Sequence, residues 1–386
     1  MLGTIQRLNN AIRRSAMHPH ARATRNRCRR TLEGGFDRRR NALSSSIRAR
    51  WAPQKRLCKT VIGTPQRWRK EDATTDAAQS SLHPFVRLSR EDWARLPADA
   101  SFASSEEVRG IGAHLSPEEA RQAYLPLSRL LYLHVGATKS LYRAARAFLA
   151  EEEKEVPYVV GIAGSVAAGK STVARVLRAL ISRWPGRPEV GLVSTDGFLY
   201  PNRELQARGL MERKGFPESY DLPLLLRFLA DIKSGREGVS VPIHSHLTYD
   251  ILPDRTQIVG RPDVLVVEGL NMLEAGLSEL SEGHRIFVSD YCDFSIYVDA
   301  QERHIKEWYV ERFLRLREEA LGDSSAYFHR FAELSVEQAT DEALRVWDEI
   351  DHPNLKENIE PTKDRACLIL EKAQDHSVKS VRLRKI

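Results

Sequence analysis

The chain has 386 residues, with 59 Lys and Arg, 52 Asp and Glu and a formal net charge of +7, enough for one large domain with sequence to spare. Residues 1–70 hold 19 basic side chains against 2 acidic ones, leaving 40 against 50 in the rest, so the charge excludes general nucleic-acid binding by the body of the protein. Cys28, Cys58, Cys292 and Cys367 are widely separated and form no CxxC pair, which argues against a zinc site or disulfide framework, and no run approaches the ~18 apolar residues of a membrane span.

Residues 1–80 are Arg-rich, nearly free of acid and without hydrophobic periodicity, as in Arg25-Asn26-Arg27-Cys28-Arg29-Arg30, and read as a disordered basic extension. Three readings stay open for it: an inert or non-native extension from an upstream start codon, an organellar transit peptide, or an RNA-binding arm. Residues 81–155 read as a helical N-terminal part. Ser89-Arg90-Glu91-Asp92-Trp93 looks like a capped helix start, and Ser116-Pro117-Glu118-Glu119 like a capping box with proline in the first turn. Apolar residues then recur with helical spacing through Leu125, Leu130, Leu131, Leu133, Leu141 and Phe148.

Over residues 156–386 the pattern changes to strand-helix alternation. Strands are predicted at Val159–Ala163, Val190–Ser194, Val264–Val267, Phe294–Val298 and Cys367–Leu370, and helices near Ser171–Trp184, Leu222–Ser234, Gln301–Ala320 and Val336–Ile350. The class is therefore α/β, a mostly parallel sheet flanked by helices, with ligands expected beyond the carboxyl ends of the strands.

Gly164-Ser165-Val166-Ala167-Ala168-Gly169-Lys170-Ser171 fits GxxxxGK[ST] directly after an apolar strand and before a helix, the context of a phosphate-binding loop. Lys170 would neutralise the β/γ phosphates and Ser171 would offer a hydroxyl to Mg²⁺. Asp196 follows the next strand, where it reads either as a base toward a phosphoryl acceptor or as a turn-forming cap. Glu268 ends a buried strand in the manner of a Walker-B acid that would hold Mg²⁺ or its water shell. His246 and Tyr249 lie in a polar, aromatic stretch that fits substrate binding and a surface hairpin equally. Arg312, on a predicted helix, reads as a cis arginine or as part of a solvated face, and Phe313, Tyr327 and Phe328 as core aromatics.

The runs GSVAAGKSTVARVL, TDGF, RGLMERKGFPESYD, SHLTYD and WYVERFL, taken together and in that order, closely resemble bacterial-type (type I) pantothenate kinase from about His83 to Lys385. The resemblance implies a P-loop kinase fold, and MgATP bound by Gly164, Ser165, Val166, Ala167, Ala168, Gly169, Lys170, Ser171 and Thr172. It makes Asp196 the base toward the terminal hydroxyl of pantothenate and assigns His246, Tyr249, Tyr309 and Asp351 to the pantothenate pocket, with Arg312 at the ATP phosphates. It further implies a cytoplasmic homodimer inhibited by coenzyme A at an overlapping site, with Arg175 at its phosphates and Phe313 and Phe328 around its thiol arm. His244, Leu321 and Asp351 depart from the family pattern of Tyr, Phe and Asn, and a carboxylate at 351 predicts weakened affinity for anionic pantothenate. The competing readings are a related uridine or phosphoribulose kinase, and a nucleotide- or coenzyme A-binding regulator without turnover.

Overall fold

The computed structural model describes residues 84–96, 115–151, 155–274, 279–280 and 284–385. The basic extension, with the three readings attached to it, lies outside the described residues. The first described elements are strand β1 (Phe85–Ser89) and the one-turn helix α1 (Arg90–Ala94), capped by Ser89 Oγ, which accepts from Asp92 N at 3.1 Å. A helical turn at Pro117–Glu119 and a π-helical turn at Ala120–Tyr124 lead into the long helix α2 (Leu125–Leu149).

The capping box expected at Ser116 is only half formed. Ser116 Oγ accepts from Glu119 N at 3.1 Å, but the Glu119 carboxylate does not return to the cap; its Oε1 accepts from Val378 N at 3.0 Å and ties this flank to the C-terminal strand. The periodicity predicted for α2 also needs correcting, because its buried stripe is Leu127, Leu131 and Val135, whereas Leu133, Leu141 and Phe148 are exposed. Trp93 Nε1 donates to Ala123 O and ties the flank together, and Trp184 Nε1 donates to Ser128 Oγ and docks α2 beside the end of α3, each at 2.8 Å.

The chain continues through β2 (Tyr158–Gly164), α3 (Lys170–Ile181), β3 (Val190–Ser194), α4 (Asn202–Ala207), α5 (Leu222–Lys233), β4 (Val239–Ser245), β5 (Asp250–Val259) and β6 (Val264–Glu268). After the two-residue strands β7 (Glu279–Leu280) and β8 (His284–Arg285) come β9 (Phe294–Ala300), α6 (Glu302–Glu319), α7 (Val336–Val346), β10 (Leu368–Lys372) and β11 (Val378–Arg384). Seven strands form the central sheet in the order β1-β11-β10-β9-β2-β6-β3. The inner pairings are parallel, as the strand-helix alternation predicts, and β1 and β11 add an antiparallel margin.

Residues on β2 alternate between the two faces. Val159 and Ala163 pack with Leu225, Phe228 and Leu229 of α5, while Val160 and Ile162 pack with Val173, Ala174 and Leu177 of α3 and Leu127 and Leu131 of α2. Each buried Val, Leu, Ile or Phe side chain here contributes roughly 1.5–3 kcal/mol, so the strand that carries the glycine-rich loop is held from both sides. At the opposite, amino end of the sheet, Lys233 Nζ and Asp293 Oδ2 pair at 2.7 Å, and the same carboxylate oxygen accepts from Val159 N at 2.7 Å.

Register brings the strand ends together. Ser194 on β3 and Ile162 on β2 both stand opposite Glu268 on β6. Asp196 and Gly164 lie two residues further on, so the carboxyl edge presents Asp196, then Glu268, then the loop, at strand spacings of ~4.8 Å. Gly269 permits this: a β-carbon there would overlap the Thr195 hydroxyl, so the chain after Glu268 can press against the residue preceding Asp196 only without a side chain.

Candidate active site

The loop after β2 turns into α3 through Gly169, whose φ of 91° belongs to the left-handed region that glycine tolerates. Lys170 folds back so that Nζ donates to Ser165 O at 2.8 Å. Desolvation pulls the Lys170 ammonium below its ordinary value, while the charges of Glu268 and Asp196 pull it back up. Ser171 Oγ donates to Glu268 Oε1 at 3.0 Å, placing a hydroxyl and a carboxylate side by side at the start of α3. Burial raises Glu268, opposed first by Lys170 and further by the hydroxyls of Ser171 and Ser194.

Asp196 occupies a short 3-10 turn, Thr195–Phe198, and its N–H donates to Ser194 Oγ at 3.3 Å. Its carboxylate acts electrostatically on Lys170, Lys214, Tyr220, His244, Tyr249 and Glu268, which makes it the common neighbour of the cluster. Arg312 and Asp351 reach the same cluster from helices far along the chain. Asp351 lies beside the Tyr309 hydroxyl and faces Arg312 and Lys170, which favour its charged form; burial still lifts its carboxyl to about 6. Burial raises Tyr309 in turn, with the Asp351 charge adding to the shift.

The β4–β5 hairpin reconciles the two readings of His246 and Tyr249, since both lie in its connecting turn and that turn reaches the site. Tyr249 takes a left-handed conformation (φ 52°), a strain of roughly 1–3 kcal/mol for a bulky residue. Its carbonyl accepts from Lys214 Nζ at 2.5 Å and Asn202 Nδ2 at 3.1 Å, and Lys214 Nζ also sits 4.2 Å from the centre of its ring. Tyr327 N donates to Leu247 O at 2.8 Å, stitching the turn to residues 327–331. His246 is exposed and lines the cavity beside the loop, with its ring 5.6 Å from that of His244.

That cavity, about 780 Å³, is lined by Lys170, Ser171, Thr172, Arg175, Arg312 and Lys372, among others. Arg312 is half-buried at the wall of this cavity. Phe313 is buried, as expected of a core aromatic, with its ring 5.3 Å from half-buried Phe328; Phe328 in turn lies 6.1 Å from Tyr249, so this aromatic cluster adjoins the site. Among the departures, His244 lies within ring contact of both His246 and Tyr249, and desolvation pushes it down to about 4, so it is neutral at physiological pH. Leu321 is exposed.

Sequence reasoning assigned no role to Lys214, Tyr220 or Lys372. The first two sit in the RKGFPESYD run, so the motif itself was the signal; Lys214 is drawn down to about 8 by desolvation. Lys372, at the end of a strand with no recognised motif, carried none.

A glycine-rich loop between strand and helix, a serine-carboxylate pair beside it and a second carboxylate two strands away define an ATP-dependent P-loop kinase. The model of the phosphoribulokinase/uridine kinase family matches residues 159–323. Curated relatives cover more: the chain is 51% identical over 319 residues to a pantothenate kinase of Parvibaculum lavamentivorans, spanning 82% of this chain and 98% of that protein. It is 51% identical over 309 residues to a pantothenate kinase of Brevibacillus brevis (78% and 97% of the two chains) and 52% identical over 316 residues to one of Myxococcus xanthus (80% and 100%). The chain belongs to the pantothenate kinase family. No helix among the described residues is long and apolar enough to cross a membrane.

Proposed function

We propose that the protein transfers the γ-phosphoryl group of ATP to the terminal hydroxyl of pantothenate, forming 4′-phosphopantothenate in the first step of coenzyme A synthesis. The observation that carries this reading is the convergence of Lys170, Glu268, Asp196, Arg312 and Asp351 at one end of the sheet, in a chain of this family. Backbone N–H groups of Gly164–Thr172 cradle the phosphates and Lys170 reaches the β/γ oxygens. Arg312 balances charge on the transferring group, and Asp196 orients the acceptor hydroxyl and takes its proton. Tyr249, Tyr309, His246 and Asp351 bound the acceptor pocket.

Ser171 and Glu268 supply two hard oxygen donors 3.0 Å apart, the kind of partial site that Mg²⁺ completes with water and substrate phosphates. Bound there, the ion would neutralise charge on the phosphoryl oxygens. Coenzyme A is assigned to the same cavity as an inhibitor, with Arg175 at its phosphates and Phe313 and Phe328 around its thiol arm; Arg175 lines that cavity, and the two rings pack together beside Tyr249. The flank of residues 81–155 and the catalytic part, residues 156–386, would act as one cytoplasmic enzyme, in a homodimer.

The test is ADP release by the full chain with pantothenate, uridine or ribulose 5-phosphate as acceptor. Pantothenate alone should stimulate release and yield 4′-phosphopantothenate; stimulation by uridine or the pentose phosphate instead would overturn the assignment.

Asp351 sets a second expectation. Its carboxyl, raised to about 6, is largely ionised near neutral pH, where it opposes an anionic acceptor. Removing ~1 kcal/mol of repulsion gives about a fivefold lower KM for pantothenate in Asp351→Asn near pH 7.5. In the native enzyme KM should fall as pH drops through about 6 and Asp351 takes up a proton, whereas the variant should show no such change. An unchanged or higher KM in the variant would count against the assignment.

A further inference from the structure

Lys372 ends β10 and is only 4% exposed. A β-carbon built on Gly169 would lie 3.1 Å from its Nζ and 3.8 Å from its Cε, so the ammonium rests directly on the glycine-rich loop. It lines the same cavity as Lys170, Ser171, Thr172 and Arg312. Among the described residues no carboxylate pairs with it. The two nearest in electrostatic effect, Glu119 and Asp375, are engaged elsewhere: Glu119 accepts from Val378 N, and Asp375 accepts from the N–H and hydroxyl of Ser377 at 3.0 and 2.7 Å.

A buried ammonium with no carboxylate in contact costs the empty protein free energy and leaves the site receptive to an anion. Register says which part of a bound nucleotide it meets. Lys372 stands opposite Ala300 of β9, two strands from β2 on the side away from β6 and β3. The transferring phosphoryl must lie toward Asp196, beyond β6 on the other side, so the anion beside Gly169 is the trailing part of the chain of phosphates. The geometry points to Lys372 as a second phosphate-binding lysine of this site, which closes the loop from the β10 side and holds the α- and β-phosphates of an adenine nucleotide. Gly169 is then required twice, for its backbone conformation and to leave room for the ammonium.

The inference rests on the nucleotide-site reading, and ADP binding by the unaltered full chain tests that reading separately. In Lys372→Met the dissociation constant for ADP should rise roughly 10- to 100-fold, as for loss of a charge-assisted contact, and KM for ATP should rise with it. The kcat at saturating ATP should change little, because the contact is the same before and after transfer. Without nucleotide the variant should melt at the same or a higher temperature, since an unpaired buried charge is gone. Lys372→Arg should recover part of the ADP affinity. Should Lys372→Met fail to fold, Lys372→Gln takes its place with the same expectations. Unchanged ADP affinity in the neutral variant would overturn the proposal. So would a lower melting temperature accompanied by equal losses of ADP and pantothenate binding, which would make Lys372 a structural prop. No ADP binding by the unaltered chain would remove both this inference and the reading beneath it.

Discussion

Replacing Asp196 by Asn should lower kcat by about 10²–10⁴-fold while leaving affinity for ATP nearly intact. The substitution keeps the shape of the side chain and the Ser194 contact to the backbone of residue 196, so the turn Thr195–Phe198 should persist. What it removes is the carboxylate that accepts the acceptor's proton. Two other acids are near, but neither is free to replace it. Glu268 is committed to Ser171, and Asp351 faces Tyr309 and Arg312. Single-turnover formation of 4′-phosphopantothenate is the decisive measurement. Near-native turnover by Asp196→Asn with ATP bound normally would assign Asp196 to cap formation alone.

Replacing Arg312 by Ala should cost more, about 10³–10⁵-fold in kcat, the range seen when an arginine balances charge in phosphoryl transfer. Here the loss has two parts. Arg312 faces Lys170, Asp351, Tyr249 and Tyr309, so its removal uncovers the Asp351 carboxylate as well as the transferring phosphoryl group. Lysine should not restore activity, because a point charge cannot reproduce the planar fork of donors. The double variant Arg312→Ala with Asp351→Asn separates the two parts: pantothenate affinity should recover relative to Arg312→Ala, and kcat should not. Full recovery of kcat would show that the arginine only shields Asp351.

The strand-end chemistry was legible because a parallel sheet makes it so. Gly164–Ser171, Asp196 and Glu268 each directly follow or end an apolar run, and the register that aligns them follows from strands of similar length. Arg312 and Asp351 were identified through family resemblance rather than pattern, because α6 and the helical segment after α7 bring them in from late in the chain. Lys372 was missed for another reason: in sequence a buried lysine looks like any surface lysine, and only packing distinguishes them. The antiparallel margin was missed too, since β1 and β11 are short segments punctuated by basic residues. The Glu119 half of the expected capping box was misassigned because a long-range partner, the N–H of Val378, took the carboxylate.

The helical run that contains Asp351 has one more consequence. From α7 onward it passes through π-helical turns at Trp347–Asp351 and Leu355–Ile359. Along it, Ala339, Ala343, Trp347, Leu355 and Ile359 are buried, and Asp351 falls on the same series of every fourth residue. In a regular α-helix such a series drifts by about 40° per step, or about 200° over its five steps, and would spiral from the interior to the solvent. The wider turns absorb that drift and keep the line straight. Asp351 therefore faces inward because of where the helix is overfilled, and losing a single residue there would rotate the carboxylate out of the pocket while leaving every side chain of the site unmutated.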